Sequence, residues 1–130
     1  MTEATDIEIY IAHTTAERLT VWLDTQLDRV ERAEKQPGMP KNAVTLTGFW
    51  QEQSFAILIL QREVGRFSSL WLNSSTLPWA DDEACAVAAS RHFEQETRIA
   101  AGGWHESDDP DAWIKVLPDG STTPFTWKTD

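Results

Sequence analysis

The chain has 130 residues, of which 41% are hydrophobic and 25% are charged. These proportions exclude an intrinsically disordered chain and predict one globular domain, residues 1–130, whose core needs neither a metal ion nor a disulfide to hold it. Acidic residues outnumber basic ones by 21 to 11, and the net charge is −10. Because the basic residues are scattered and the field repels phosphates, direct nucleic-acid binding is not expected.

The sequence also predicts a cytoplasmic protein that makes no contact with a membrane. No apolar run approaches the length of a membrane span, and the first six residues are acidic and polar where a secretory signal would be basic and then apolar. Cys85 is the single cysteine. It excludes an intramolecular disulfide, fits a reducing compartment and is expected to be a small buried hydrophobe.

The first third of the chain predicts a strand followed by a helix. Residues 6–12 alternate polar and apolar side chains, as in a half-buried strand. Thr14 and Glu17 have the spacing of a capping box, in which the Thr14 hydroxyl accepts the Glu17 N–H. The helix that begins there is expected to continue to about residue 36, before Pro37, because one apolar stripe contains Leu19, Trp22, Leu23, Leu27, Val30 and Ala33.

The rest of the chain predicts a three-stranded meander, a second helix and a final hairpin. The meander comprises residues 44–50, 55–60 and 67–72, with a hairpin turn at 63–66. The second helix is expected from Asp81 to about Arg98, followed by a short strand at 99–104 and a hairpin formed by 112–117 and 122–127. Pro124 places the last strand at an edge.

Without the short strand at 99–104, this order is β-α-β-β-β-α-β-β, and it predicts an α+β fold with a single, mostly antiparallel or mixed sheet and two helices on one face.

Residues 102–113 contain one histidine and four aspartate or glutamate residues between two tryptophans. They match neither the zinc-protease motif, which needs a histidine where Asp109 stands, nor a calcium loop, which needs oxygen ligands where Pro110 and Ala112 stand. Three interpretations stay open: a structural turn capped by Asp109, a weak cation site, and a recognition loop for a basic protein. The candidate binding residues here are Trp104, His105, Glu106, Asp108, Asp111 and Trp113.

A second candidate site is the junction between the first strand and the first helix. His13, Thr14 and Thr15 lie there, where free backbone N–H groups at a helix start favour an anion such as phosphate or carboxylate. The alternative is an ordinary strand-to-helix connection.

Tryptophan is unusually frequent, with seven in the chain. Trp22 belongs to the buried stripe of the first helix, whereas Trp79, Trp104 and Trp113 border turns. Exposed indoles near carboxylates would bind a cation or a protein surface, and the alternative is that they close the open end of a small core.

Known catalytic and phosphate-binding motifs are missing from the sequence, and no cofactor is expected. The leading hypothesis is therefore a non-enzymatic module that binds a basic protein through an acidic, tryptophan-bearing surface. The competing hypothesis is a small-molecule-binding or enzymatic domain with a tryptophan-lined pocket that uses His13 or His105. A pocket of several hundred Å³ with convergent polar groups favours the second hypothesis, and a flat apolar patch rimmed by carboxylates favours the first.

Overall fold

Eight antiparallel strands form a single sheet in the computed structural model, which describes residues 6–101 and 111–128. The elements in chain order are β1 (Ile7–Ala12), α1 (Ala16–Gln26), β2 (Arg29–Arg32), β3 (Ala43–Trp50), β4 (Gln53–Val64), β5 (Phe67–Leu72), α2 (Asp82–Phe93), β6 (Thr97–Ala100), β7 (Ala112–Val116) and β8 (Thr122–Thr126). The order across the sheet is β2-β3-β4-β5-β1-β6-β7-β8. The predicted α+β class and the antiparallel sheet are confirmed.

The core lies between the sheet and both helices. Alternate residues of each strand point to this side, because side chains of a strand alternate between the two faces of its sheet. One continuous cluster contains Ile7, Ile9 and Ile11 of β1, Leu19, Trp22 and Leu23 of α1, and Cys85, Ala86 and Ala89 of α2. Cys85 is the small buried hydrophobe that the sequence predicts.

The first helix ends ten residues earlier than predicted. It stops at Gln26, Leu27 is extended, and residues 29–32 form the edge strand β2. Leu27 and Val30 still reach the core, so the same apolar spacing is satisfied by a helix followed by a strand. Two aspartates stabilise the change of direction, since Asp24 accepts the Val30 N–H at 3.1 Å and Asp28 accepts the Gln51 N–H at 2.9 Å.

The second helix also ends before the predicted residue 98. It stops at Phe93, and Glu94 has a left-handed backbone conformation with its N–H donated to the Ser90 carbonyl. Strand β6 begins at Thr97, two residues before the predicted start, because the buried Thr97 hydroxyl donates to the Ala86 carbonyl at 3.0 Å and so anchors the strand beneath α2. Residues 102–104 of the predicted strand lie outside the described residues.

Neither edge of the sheet offers a regular strand for further pairing. Pro124 lies in the middle of β8, which is an edge strand as predicted, and proline has no N–H to donate. At the other edge β2 has four residues, and its Val30 N–H is already bound by Asp24. Short edges and prolines of this kind oppose edge-to-edge association.

The sheet face opposite the helices is called the open face, because no described helix packs on it. The register of the strands assigns to it Tyr10 of β1, Trp71 of β5, Leu58 and Leu60 of β4, Phe49 of β3, Trp113 of β7 and Phe125 of β8. These seven side chains are all half-buried. They lie side by side on the sheet, and no described helix or strand covers them.

We predict that Gly48→Ala destabilises the fold by about 1–3 kcal/mol, the usual range for overpacking a filled core. Gly48 lies opposite Phe55 in β4, and a Cβ there would meet the Phe55 ring at 2.7 Å and the Ile57 Cδ1 at 2.8 Å. Urea unfolding measures the change. Ser54→Thr is the control, since it adds a methyl group at an exposed position of β4. Equal stability of the two variants would show that the core has room at Gly48.

Candidate functional site

The β1–α1 junction and the β4–β5 turn meet at one end of the sheet. Ala12 is paired with Phe67, and the next residue, His13, donates its backbone N–H to the Arg66 carbonyl at 3.0 Å. A second connection joins the Ala16 N–H, in the first turn of α1, to the Gln61 side-chain oxygen at 3.0 Å. The start of the helix is thereby fixed against the turn.

A pocket of about 510 Å³ lies between these two segments. Its lining residues are His13, Thr14, Thr15, Arg62, Gly65 and Arg66. The volume lies within the range of small-molecule sites. His13, Arg62 and Gly65 all have positive φ, at 54°, 51° and 59°. Two of the three are not glycine, and backbone conformations of this kind are concentrated at binding sites.

Thr15, not Thr14, caps the first helix. The Thr15 hydroxyl accepts the Arg18 N–H at 3.1 Å, so the predicted capping box of Thr14 and Glu17 is wrong by one residue. The left-handed conformation of His13 turns the chain before the helix and moves its start along by one position. Thr14 is consequently 8% exposed, and its hydroxyl is buried without a hydrogen-bond partner among the described residues.

The pocket also concentrates positive charge in an acidic protein. Arg62 and Arg66 are exposed, and neither forms an ion pair with a carboxylate of residues 6–101 or 111–128. Arg66 lies over the Phe67 ring at 5.0 Å from its centroid. Two guanidinium groups, a histidine and a helix N-terminus therefore converge on one cavity, and each of these groups favours a bound oxyanion.

The other predicted site residues that the structure describes, Trp79, Asp111 and Trp113, do not line this pocket. Trp79 is 8% exposed and stacks on Trp22 with ring centroids 5.4 Å apart, so it is part of the core. Asp111 precedes β7, and its carbonyl accepts the Trp127 N–H at 2.8 Å. Trp104, His105, Glu106 and Asp108 lie outside the described residues, as does most of the predicted turn at 102–113.

Trp113 belongs to an aromatic cluster on the open face. Its ring lies edge-on to Tyr10 at 5.4 Å and to Trp127 at 4.9 Å. The Arg98 guanidinium lies 4.2 Å from the Phe67 ring centroid and 4.5 Å from that of Trp127, and it is paired with Glu96. These contacts make the cluster a small second core on the open face.

Carboxylates collect where β1 meets the start of α2. The Asp82 carboxylate accepts the Glu8 N–H at 3.3 Å, and burial, together with the nearby carboxylates of Asp6, Glu8 and Asp81, raises the pKa of Asp82 to about 6. Burial, and then Asp6, also raises the pKa of Glu8. Burial raises the pKa of the Cys85 thiol, which opposes formation of a thiolate nucleophile.

Sequence reasoning missed Arg62 and Arg66. The segment around them reads correctly as a hairpin turn, but nothing local places that turn beside His13. The missing information is the pairing of β1 with β5, which joins residues more than 50 positions apart. If that pairing had been known, the two arginines on either side of Gly65 would have indicated a positively charged site beside His13.

Comparison of the chain with protein-family models, with curated proteins and with solved structures gives no match. Among residues 6–101 and 111–128, no group of three or more histidine, cysteine, aspartate or glutamate side chains is arranged to hold a metal ion. No helix within the same ranges is long and apolar enough to cross a membrane. The site must therefore be interpreted from its own chemistry.

We predict that Asp82 makes the fold less stable as the pH rises from about 4 to 6. Because its folded-state pKa, about 6, lies above the ordinary 3.8, the folded protein holds the proton more tightly. The stabilisation that comes from this tighter proton binding is complete below pH 3.8, and it is lost as the pH rises through about 6. Urea unfolding at pH 4 to 7 should show a weaker pH dependence for Asp82→Asn.

Glu83→Gln is the matched control, because Glu83 is an exposed carboxylate in the same helical turn. It should retain the pH dependence of the wild type. Superimposable stability profiles for Asp82→Asn and the wild type would contradict the assignment to Asp82.

Proposed function

We propose that the protein binds a small ligand through an oxyanion, a phosphate or carboxylate group, in the pocket between the β1–α1 junction and the β4–β5 turn. The observation that carries the proposal is the buried Thr14 hydroxyl, which has no partner in the described structure. It belongs to a residue that lines the pocket, together with two arginines that form no ion pair with a described carboxylate. A buried hydroxyl without a hydrogen bond costs roughly 1–3 kcal/mol. An anion that accepts this hydrogen bond would remove the cost.

The charges support an anion rather than a cation. Among the described residues, the side chains that line the pocket include Arg62 and Arg66 and no carboxylate. Backbone N–H groups at the start of an 11-residue helix add a partial positive charge. In a chain of net charge −10, a local excess of donors is the feature that needs explanation.

The proposal corresponds to the second hypothesis from the sequence, a domain that binds a small molecule. His13 is still a binding residue, but arginines and threonines line the pocket where tryptophans were expected. None of the six lining residues is a tryptophan. Recognition would therefore depend on charge-assisted hydrogen bonds, which are worth about 1.5–3 kcal/mol each. The lone, buried Cys85 supports a cytoplasmic location for this activity.

Calorimetry with inorganic phosphate, and separately with citrate, tests the proposal. The wild type should bind at least one of them saturably, and Arg62→Gln and Arg66→Gln should each weaken binding about tenfold or more, because 1.4 kcal/mol corresponds to a factor of ten. Arg32→Gln is the control, since Arg32 is an exposed arginine on the distant strand β2. Binding of neither anion, or equal losses in all three variants, would refute an oxyanion site.

Thr14→Val gives a sharper test, because valine keeps the shape and removes the hydroxyl. Loss of an unsatisfied buried group should leave the free energy of unfolding of the ligand-free protein unchanged or increased. Binding of the same anion should become weaker. Unfolding in urea and calorimetry measure the two effects, and a variant that binds as tightly as the wild type would show that the hydroxyl does not contact the ligand.

A further inference from the structure

We infer that the open face of the sheet is an interface between two copies of this chain, which associate face to face with their helices outward. This inference goes beyond the proposed function and does not depend on it. It starts from the amount of apolar surface on a face that no described helix covers.

The open face holds as many of the described tryptophans as the core does. Of the six tryptophans that the structure describes, Trp22 and Trp79 are buried beneath the helices, and Trp50 packs against the core. The other three, Trp71, Trp113 and Trp127, are half-buried on or beside the open face. Leu58 and Leu60 extend this apolar surface across β4. These side chains are half-buried against one another, and the contiguous apolar surface that they leave accessible is typical of an interaction site.

The charge of the open face favours a second copy over a basic partner. Within the strands, its negative side chains are Glu8, Glu31 and Glu63, and its positive side chains are Arg29, Arg98 and Lys115. Asp6, which accepts the Trp71 indole N–H, adds one negative charge beside β1. The face is thus close to neutral, although the whole chain carries −10. A strongly basic partner finds no matching negative potential there, whereas two near-neutral apolar faces can meet without repulsion between them.

The area is sufficient for a stable dimer. Eight strands about 4.8 Å apart, each about five residues long at about 3.3 Å per residue, give a projected face of roughly 600 Å². Two such faces in contact bury about 1,200 Å², which is the lower end of standard protein interfaces. The edges of the sheet are unsuited to this role, because Pro124 interrupts β8 and Asp24 occupies the Val30 N–H of β2.

Sedimentation equilibrium of the full chain, from 1 to about 200 µM at moderate salt, tests the inference. We expect the wild type to be dimeric at the upper concentrations. Leu58→Lys places a charge in the middle of the open face and should weaken dimerisation at least tenfold. Val21→Lys is the matched control, because it makes a comparable aliphatic-to-lysine change at a site on α1 that is 63% exposed. It should dimerise as the wild type does.

Ala56→Lys is a second face variant, since Ala56 is an exposed residue of the same face and accepts a longer side chain without disturbing the core. Circular dichroism verifies that each variant is folded. Higher salt should strengthen the dimer by screening the repulsion between two chains of charge −10, whereas it would weaken a complex with a basic protein. A wild type that stays monomeric throughout, or folded face variants that dimerise as tightly as Val21→Lys, would overturn the inference.

Discussion

The antiparallel pairing of β1 with β5 is the constraint on which the rest of the structure depends. It makes β1 an interior strand, so that Ile7, Ile9 and Ile11 lie beneath the helices while Tyr10 points to the open face. Its last pair, Ala12 with Phe67, brings the start of α1 against the turn that precedes β5. One register thus determines both the core and the pocket, and a shift by a single residue would exchange the two faces of β1.

Strand alternation and turn chemistry made the sheet largely predictable from sequence. The strands of the meander and the final hairpin are short runs rich in β-branched, aromatic and aliphatic residues, and two of their turns contain glycine, so local rules suffice for them. The segment around Leu27 and Val30 was ambiguous for a physical reason: both residues reach the core whether the chain continues as a helix or bends into a strand. There the hydrogen bonds from Asp24 and Asp28 determine the outcome, and no apolar pattern reports them.

The candidate site was half predictable. The sequence indicates His13, Thr14 and Thr15 because a strand-to-helix junction is a local feature, whereas Arg62 and Arg66 join them only through strand order. The one-residue error in the helix cap also matters for function. If Thr14 capped the helix, its hydroxyl would be satisfied within the fold. Because Thr15 caps it, the Thr14 hydroxyl has no partner among the described residues.

The pocket and the open face share a boundary at Arg66 and Phe67. The Arg66 guanidinium lies over the Phe67 ring, and that ring also contacts Arg98 and Trp127 of the aromatic cluster. A cation–π contact at an exposed site is worth about 0.5–1 kcal/mol, whereas a hydrogen bond from a charged group is worth about 1.5–3 kcal/mol. For Arg66, a hydrogen bond to an anion in the pocket would therefore outweigh the contact with the ring. Since Arg98 holds Phe67 from the other side, the cluster would keep its arrangement, and ligand binding at one end of the sheet need not disturb association through its face.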